Sequence, residues 1–318
     1  MAGAGHFGRG PAFHIPALAV IGVGLIGGSL ALALKRRGRV GRVIGAGRSR
    51  ASLEKALRLG AIDAIAAHPA EAAQAADLIF LSAPVGATAG LLEAIAPALD
   101  ADKIATDAGS VKGGVCAAAQ AVLGARAGRF VPGHPVAGKE HSGVGAASAD
   151  LFQNHNAVIT PLAHTDAGAL ETVRRMWRAV GARVITLPPE LHDQVLALTS
   201  HLPHVLAYAM VDLFAASAAA DAADRAAGPG LYGDMAAGGF YDFTRTASSD
   251  AEMWRDICLM NRAQILPHLA AFAGRLERLG QLIEQADGAA LERLFAAARN
   301  TRTQVAERRP PAAPATST

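Results

Sequence analysis

Three glycines near the N-terminus stand at the spacing G-x-G-x-x-G, between an apolar run and a helix-forming segment. They follow the run Leu18–Ile21 directly. In such a pattern the first glycine allows a tight turn, the second lets the backbone approach a pyrophosphate, and the third lets the helix pack close to the strand. The N–H groups at the start of the helix would then bind the phosphates. The residues expected to contact a dinucleotide here are Gly22, Gly24, Leu25, Ile26 and Gly27.

The type of dinucleotide depends on the residues that follow the second predicted strand, Val43–Ala46. An NAD site usually has Asp or Glu there, about 20 residues past the glycines, to hold the ribose 2′-hydroxyl. This chain has Gly47, Arg48 and Ser49 instead. A guanidinium and a hydroxyl can bind a 2′-phosphate, which a carboxylate would repel. The pattern favours NADP. The alternative is that Arg48 only stacks on the adenine and that NAD is used as well.

Ligands of parallel α/β sheets bind beyond the carboxyl ends of the strands. Ser82, Pro84 and Val85 follow the third predicted strand and are expected to border the dinucleotide, although an ordinary turn is the alternative. Ser110 and Lys112 follow the fourth strand. Ser110 could cap the next helix, or its hydroxyl could face the nicotinamide and the substrate. Lys112 could fix this loop or contact the cofactor.

His134 follows the fifth predicted strand, in a segment that we expect to be a loop containing Pro135, Gly138 and Gly143. An imidazole is the side chain best suited to accept a proton near neutral pH. A single histidine is more often a structural group than a catalyst, but the end of a strand in this kind of sheet is where catalytic groups lie. His134 is therefore a candidate general base.

The elements that must position these residues change in character near Pro188. Before it, short apolar runs alternate with helical segments, which predicts a doubly wound, mostly parallel sheet. The predicted strands are Leu18–Ile21, Val43–Ala46, Leu78–Ser82, Ile104–Asp107, Arg129–Gly133, Ala157–Thr160 and Arg183–Leu187. The predicted helices between them are Leu30–Arg37, Ser52–Arg58, Gly90–Ala98, Gly113–Val122 and Ala167–Val180. After Pro189 we expect helices only, at His192–Ala216, Ala251–Gly280 and Asp287–Val305, with Phe214–Ala227 an Ala-rich, tightly packed helix.

This pattern divides the chain into a dinucleotide-binding Rossmann domain, residues 14–188, and an all-helical substrate and dimerisation domain, residues 189–305. The ends, 1–13 and 306–318, are expected to be disordered tails. A helical half of this kind cannot close a substrate pocket alone, so we expect a homodimer, on fold analogy.

Composition narrows the function classes. The formal net charge of +3, spread along 318 residues, does not indicate nucleic-acid binding. The uncharged stretch Ile15–Leu34 contains several glycines and follows no basic segment, so we expect neither a membrane span nor a signal peptide. Cys116 and Cys258 match no metal or redox spacing, which is typical of reduced thiols in a cytoplasmic protein. His201 and His204 have no acidic or Cys partner at a useful spacing, so no metal is expected.

Six motifs in a fixed order carry a resemblance to a known family. They are Gly22–Ser29, Asp107–Lys112, Gly133–Gly138, Ser200–His204, Gly239–Arg245 and Met253–Ile257. In this order and over residues 16–305, the chain resembles the prephenate/arogenate dehydrogenases, also called cyclohexadienyl dehydrogenases. The resemblance implies oxidation of the ring C4 alcohol of a small-molecule substrate, prephenate or its amino analogue arogenate. Hydride passes to the nicotinamide while the ring carboxylate leaves as carbon dioxide, giving 4-hydroxyphenylpyruvate or tyrosine.

The resemblance also implies roles for individual residues. His134 matches the histidine that draws off the proton of the C4 hydroxyl, and Ser110 matches the serine that holds this hydroxyl or the nicotinamide amide in line. Arg245 matches the arginine that pairs with a substrate carboxylate. His204 is expected to face the substrate side chain. Trp254 would pack the pocket wall, with a plain core aromatic as the alternative, and His201 would be a buried structural hydrogen-bonding group.

Two residues depart from the family pattern. Lys139 stands where many relatives have a neutral residue, and Tyr241 stands where some have lysine. Both are candidate substrate-binding residues next to the side chain that differs between the keto acid prephenate and the amino acid arogenate. Lys139 would favour an anion there, whereas Glu140 could favour an ammonium group. The choice between the two substrates stays open at this point.

Two other classes of protein remain alternatives. One is another two-domain NADP reductase, of the β-hydroxyacid dehydrogenase or imine reductase type, but these use a Lys or Asp from the first long helix of the second domain. Here that helix has Ser200–His204. The other is a dinucleotide-binding sensor without activity, which would need the glycines but would not need Ser110, His134 and Arg245 together. Turnover of prephenate with NADP distinguishes all three.

Overall fold

The computed structural model describes residues 13–100, 102–139, 141–220 and 230–307. They form two compact units, which divide between Pro189 and Glu190. The tails expected at 1–13 and 306–318 lie outside the described residues, except for residue 13 and for residues 306–307, which are helical. The part of the Ala-rich segment from residue 221 to residue 227 is likewise outside them.

The first unit contains two sheets. Its strands are β1 Ile15–Ile21, β2 Val40–Ala46, β3 Ala64–Ile65, β4 Leu78–Leu81, β5 Ile104–Asp107, β6 Phe130–Val131, β7 Gly133–Val136, β8 Asn156–Ile159 and β9 Arg183–Thr186. Strands β1 to β6 form one parallel sheet in the order β3-β2-β1-β4-β5-β6. The other three form a sheet in the order β7-β8-β9, in which β7 is antiparallel to β8 and β9 is parallel to it.

The helices of this unit cross over between the strands. They are α1 Leu25–Arg36, α2 Arg50–Arg58, α3 Pro69–Gln74, α4 Thr88–Ile95, α5 Lys112–Leu123 and α6 Ala167–Ala179. Central strands covered on both faces need continuous apolar runs, and the side chains of β4 are all buried. Trp177 of α6 packs into the core edge-on to Phe80 and Phe152, with ring centroids 5.8 and 5.2 Å away. The strand order reverses between β1 and β4, and the crevice at such a point is where these sheets bind ligands.

One predicted strand, Arg129–Gly133, is two strands in the structure. β6 ends at Val131, which pairs with Thr106 of β5, and β7 begins at Gly133 in the other sheet. The break falls at Pro132, because a proline has no N–H with which to continue the ladder.

The second unit is helical throughout its described residues. Its helices are α7 Pro189–Leu196, α8 Leu202–Ala220, α9 Leu231–Asp234, α10 Gly238–Thr244, α11 Ala251–Met260, α12 Arg262–Glu284 and α13 Gly288–Glu307. A π-helical turn, Ala197–His201, joins α7 to α8. The prediction of a single helix at Ala251–Gly280 is wrong. The helix is interrupted at Asn261, whose backbone leaves the helical region with φ −105° and ψ 20°. The expected fold class, a doubly wound parallel sheet followed by an all-helical domain, is confirmed.

The second unit exposes many large apolar side chains in the single chain. The continuous helical segment 189–220 is long and apolar enough to cross a membrane, judged by length and composition alone. An 18-residue stretch of it has a mean hydropathy of 1.4, and 11% of that stretch is buried. Exposed apolar side chains lie on α8, α12 and α13, and they are Met210, Val211, Leu213, Leu266, Leu276, Ile283, Phe295 and Val305. Exposed apolar side chains in this number are typical of an interface with another chain or with a membrane when they form one patch.

Candidate active site

The glycine loop between β1 and α1 has the geometry of a phosphate-binding turn. Gly22 has a φ of +93°, and a Cβ there would lie 2.7 Å from the backbone of Ser82 and Ala83. A Cβ on Gly27 would lie 2.7 Å from the Val20 side chain, so only glycine lets α1 approach β1 this closely. Gly24 begins α1 without a side-chain cap and has open space where its Cβ would be. The first N–H groups of α1 therefore face a cradle that a pyrophosphate fits.

The residues next to this turn support it. Leu25 and Ile26 form the first turn of α1 and are half-buried. The Ser82 hydroxyl donates a 2.7 Å hydrogen bond to the Gly22 carbonyl and so ties the loop after β4 to the glycine turn. Pro84 precedes a short 3₁₀ turn that begins at the buried Val85. No local pattern indicates the serine-to-glycine bond, because it joins residues sixty positions apart.

The loop after β2 presents Arg48 at the surface, immediately beyond the carboxyl end of that strand. Ser49 is the N-cap of α2, and its Oγ accepts the Ser52 N–H at 3.2 Å. This bond uses the oxygen as acceptor and leaves the hydroxyl proton for a second partner. Arg50, by contrast, pairs with Glu54 one turn along α2, at 2.9 Å. The described residues 47–50 include no carboxylate.

Ser110 does not cap the helix that follows it. The N-cap of α5 is Val111, and that helix start has no side-chain cap. The capping role that the sequence left open for Ser110 is therefore wrong, because the helix begins one residue too late for its hydroxyl to serve. Ser110 is half-buried beyond the end of β5.

His134 lies inside strand β7 rather than in a loop, which corrects the sequence expectation. It pairs with Val158 of the antiparallel neighbour and is 9% exposed. Strand pairing fixes the backbone of His134 more firmly than a glycine-containing loop would. A base whose orientation is fixed in this way is better suited to accept a proton from one defined position.

The carboxylate of Asp107 connects the two candidate catalytic residues. It accepts the Gly109 N–H at 2.8 Å and the Gly133 N–H at 2.9 Å. These glycines directly precede Ser110 and His134, so the structure brings the ends of β5 and β6 together at this point. Asp107 was part of a motif in the sequence, but nothing in its local pattern indicated this bridge.

Lys139 is exposed in the segment after β7, and its ammonium group donates to the Ala146 carbonyl at 3.2 Å. The same segment is attached to α1, where the Ser29 hydroxyl accepts the Ser148 N–H at 2.9 Å. Glu140 lies outside the described residues. The first unit thus carries Lys139 on a segment that is bonded to the helix of the glycine loop.

In the second unit, His204 of α8 stacks on Trp254 of α11, with ring centroids 3.8 Å apart and planes 20° from parallel. The Nδ1 of His204 lies 2.8 Å from the Ser200 carbonyl. Since a carbonyl can only accept, Nδ1 carries the proton, and the neutral ring presents Nε2 as an acceptor. Burial lowers the pKa of His204, the Ser200 bond opposes this, and the charge of Arg245 lowers it further.

Trp254 is 7% exposed, and its indole N–H has no hydrogen-bond partner among the described residues. A buried indole N–H usually finds a partner, so this N–H is an exception within the helical unit. Arg245 is exposed at the start of the 3₁₀ turn after α10, and this turn packs against α8, the helix that carries His204. Tyr241 on α10 is 59% exposed. The structure thus brings His204, Trp254 and Arg245 together, with Tyr241 one helical turn before Arg245.

The sequence predicted His201 as a buried hydrogen-bonding group, which is confirmed, but it did not indicate the polar cluster around this residue. His201 is 1% exposed, and the Asn261 amide lies 3.0 Å from its Nδ1 and donates to the Asp193 carbonyl at 3.0 Å. His192 and Asp193 form a buried pair, 2.7 Å between Nδ1 and Oδ1. The described residues contain no group of three or more His, Cys, Asp or Glu side chains that could hold a metal ion.

The parallel sheet, the glycine turn and the polar side chains beyond its strands define a nicotinamide-dinucleotide-dependent dehydrogenase. The family model described as the nucleotide-binding domain of prephenate dehydrogenase matches residues 30–186, and that described as its dimerization domain matches residues 188–297. The chain belongs to the prephenate dehydrogenase family.

Relatives support this membership over most of the chain. The cyclohexadienyl dehydrogenase of Zymomonas mobilis is 38% identical, with 85% of this chain and 89% of the relative covered. The prephenate dehydrogenase of Bacillus subtilis is 36% identical, with 92% and 77% covered.

Solved structures agree with the sequence relatives. The prephenate dehydrogenase of Aquifex aeolicus, in complex with hydroxyphenyl propionate and NAD+, matches with a TM-score of 0.84 and 34% identity, covering 93% of this chain and all (100%) of that one. The Synechocystis arogenate dehydrogenase matches with a TM-score of 0.73 and 30% identity, covering 91% and 99%.

Proposed function

We propose that this chain catalyses the oxidative decarboxylation of prephenate to 4-hydroxyphenylpyruvate, with NADP as the favoured hydride acceptor. The main support for the proposal is the link through Asp107. Its carboxylate accepts the N–H groups of Gly109 and Gly133, which directly precede Ser110 and His134. The candidate alcohol-binding hydroxyl and the candidate base are thereby linked through one carboxylate at the end of β5. The family relationship supplies the substrate class.

His134 acts on the C4 hydroxyl of the substrate. Its imidazole takes the hydroxyl proton as the C4–H bond breaks, and the two electrons of the O–H bond form the C4 carbonyl. A bound nicotinamide supplies the acceptor for the hydride from C4. The bond from C1 to the ring carboxylate then breaks, its electrons restore the aromatic ring, and the proton on His134 returns to the oxygen to give a phenol. Ser110 holds that oxygen in line, so the chain contributes alignment and one proton acceptor.

Arg245 binds a carboxylate of the substrate through its planar, two-pronged guanidinium, a geometry that lysine does not reproduce. His204 contributes the Nε2 acceptor, and Trp254 packs against the His204 ring in the wall of the pocket. Tyr241 lies one turn away and contacts the variable side chain. Lys139 favours an anionic or neutral side chain over an ammonium group, which supports prephenate over arogenate as the substrate.

The preference for NADP rests on the loop after β2. Arg48 is exposed there, Ser49 retains a hydroxyl proton for a phosphate oxygen, and no carboxylate is present at residues 47–50. The Aquifex aeolicus relative was described with NAD+. NAD is therefore the alternative cofactor, with Arg48 stacking on the adenine.

The enzyme is a homodimer through the helical unit. The apolar side chains on α8, α12 and α13, of which Leu213 is 61% exposed, support this arrangement, as does the match of residues 188–297 to a dimerization domain. Sedimentation velocity should give twice the chain mass of 32.5 kDa. A monomer at micromolar concentration would contradict it.

An assay of the purified chain with both substrates and both cofactors tests the proposal. We expect reduced NADP and 4-hydroxyphenylpyruvate in equal amounts from prephenate, with a higher kcat/KM than for arogenate or for NAD. Absence of turnover with either substrate would overturn the activity itself, whereas a higher kcat/KM for arogenate would overturn only the choice of substrate.

A further inference from the structure

Lys112 and Asp107 form an ion pair that is closed off from water. The Nζ and Oδ2 atoms are 2.5 Å apart, and the two side chains are 0% and 3% exposed. Removing two charges from water is costly, and a buried pair is often no more stabilising than apolar residues of the same size. Overall stability alone therefore does not account for these two residues.

The pair bonds to backbone groups of the catalytic segments on both sides. Lys112 donates to the Gly133 carbonyl at 2.7 Å, while Asp107 accepts the N–H of the same glycine at 2.9 Å. Asp107 also accepts the Gly109 N–H at 2.8 Å. One ion pair thus binds the N–H and the carbonyl of Gly133, which precedes His134. It also binds the N–H of Gly109, which precedes Ser110.

The place of this pair in the fold explains why side chains are used. The ladder between β5 and β6 ends with Thr106 and Val131, because the next residue on β6's side is Pro132. Gly133 already belongs to the other sheet. Within the parallel sheet, backbone groups of β5 bond to backbone groups of β6. At Gly133, where the chain passes to the other sheet, the side chains of Asp107 and Lys112 make the corresponding bonds.

We propose that Asp107 and Lys112 are positioning residues that hold the Ser110 hydroxyl and the His134 imidazole in the relative position that hydride transfer requires. This inference rests on the proposed function. Neither residue needs to contact substrate, since each acts through the backbone of Gly109 or Gly133. A displacement of about 1 Å of a catalytic group can lower a rate by roughly 100-fold, so the ion pair should affect kcat much more than binding.

Three variants test the proposal: Asp107→Asn, Lys112→Met and the double variant. We expect kcat with prephenate to fall by roughly 10- to 100-fold in all three, with KM for prephenate and Kd for NADP changed by less than about threefold. Thermal stability should fall in the single variants, which leave one buried charge unpaired, and should recover in the double variant. The kcat should not recover with it.

A chemically matched pair in the same unit provides the control. Lys35 and Asp63 also approach to 2.5 Å, with Lys35 donating to the Gly60 carbonyl and Asp63 accepting the Val43 N–H. Lys35→Met and Asp63→Asn should leave kcat unchanged. The proposal is overturned if kcat recovers together with stability in the double variant, if kcat stays normal in a single variant, or if KM or Kd changes in proportion to kcat.

A second measurement does not depend on turnover, so that it separates this inference from the proposed function. Amide hydrogen exchange in Asp107→Asn should show lost protection at Gly109 and Gly133, with protection retained in β1 and β4. Normal protection at both glycines would contradict the positioning role, even if the wild type proved inactive with prephenate. An inactive wild type with the expected exchange pattern would overturn only the proposed reaction.

Discussion

The Asn261 amide lies 3.0 Å from Nδ1 of His201, within a cluster that is closed to solvent. Because the amide nitrogen can only donate, Nδ1 accepts and the imidazole proton is on Nε2. Burial lowers the pKa of His201 to about 4. The ring is therefore neutral at neutral pH and stabilises the helical unit in that form.

This pKa predicts how stability depends on pH. The pKa of His201 is about 4 in the folded chain, against an ordinary histidine value of 6.5, so the unfolded chain binds more protons between these values. The free energy of unfolding should fall as the pH drops from 6.5 towards 4, by up to about 3 kcal/mol from this group. Urea unfolding of the wild type and of His201→Gln should give curves that converge on acidification. A constant difference between them would rule out His201 as the source.

The cofactor loop gives a second prediction. The double change Gly47→Asp with Arg48→Ala should move the ratio of kcat/KM for NADP over NAD towards NAD by roughly 10- to 100-fold, since bonds to charged groups contribute about 1.5–3 kcal/mol. Steady-state kinetics with both cofactors measure it. Arg50→Ala is the matched control, because Arg50 is paired with Glu54 and should not affect the ratio. A wild type that prefers NAD would contradict the role given to Arg48.

Arg245 should matter for substrate binding more than for stability. Arg245→Ala should raise KM for prephenate by tens- to thousands-fold, since the substrate carboxylate would lose its charged partner. The Kd for NADP should be unchanged. Arg245→Lys should recover only part of the loss, because it restores charge without the two-pronged geometry.

The alternative for Arg245 is a structural pairing with Asp242 on α10. In that case Arg245→Ala and Asp242→Asn would lower the melting temperature by similar amounts and weaken both ligands alike. Thermal unfolding measured beside KM distinguishes the two roles. A destabilised Arg245→Ala enzyme with an unchanged KM would remove Arg245 from the substrate site.

His134 gives the largest expected effect on turnover. His134→Asn should lower kcat by roughly 10²- to 10⁴-fold, the usual contribution of a positioned base, with the Kd for NADP preserved. His155→Asn, a change of the same kind at an exposed position beside β8, should leave kcat normal. A nearly normal kcat in His134→Asn would show that this histidine is structural.

The features that sequence predicted well are those encoded locally. The glycine turn, the strand before it and the helix after it lie within one short segment, and each glycine has a backbone requirement of its own. The division near Pro188 follows from the change in periodicity alone. The family motifs make His204, Trp254 and Arg245 candidates for the substrate site, and that role stays a prediction.

What sequence could not predict depends on residues distant along the chain. The bond from Ser82 to Gly22 and the bond between Asn261 and His201 each join residues about sixty positions apart. The placement of His134 in a strand rather than a loop depends on pairing with Val158. Pro132 is the one local signal for the change of sheet, but the apolar run around it continues and favours a single strand.

Isotope transfer tests most directly whether hydride leaves C4 of prephenate for the nicotinamide. Prephenate carrying deuterium at C4 should be incubated with the wild-type chain and NADP, and the products analysed by mass spectrometry. We expect one deuterium in the reduced cofactor, none at the former C4 of 4-hydroxyphenylpyruvate, and one carbon dioxide per turnover. Deuterium lost to solvent, or a cofactor that stays oxidised while prephenate is consumed, would contradict it.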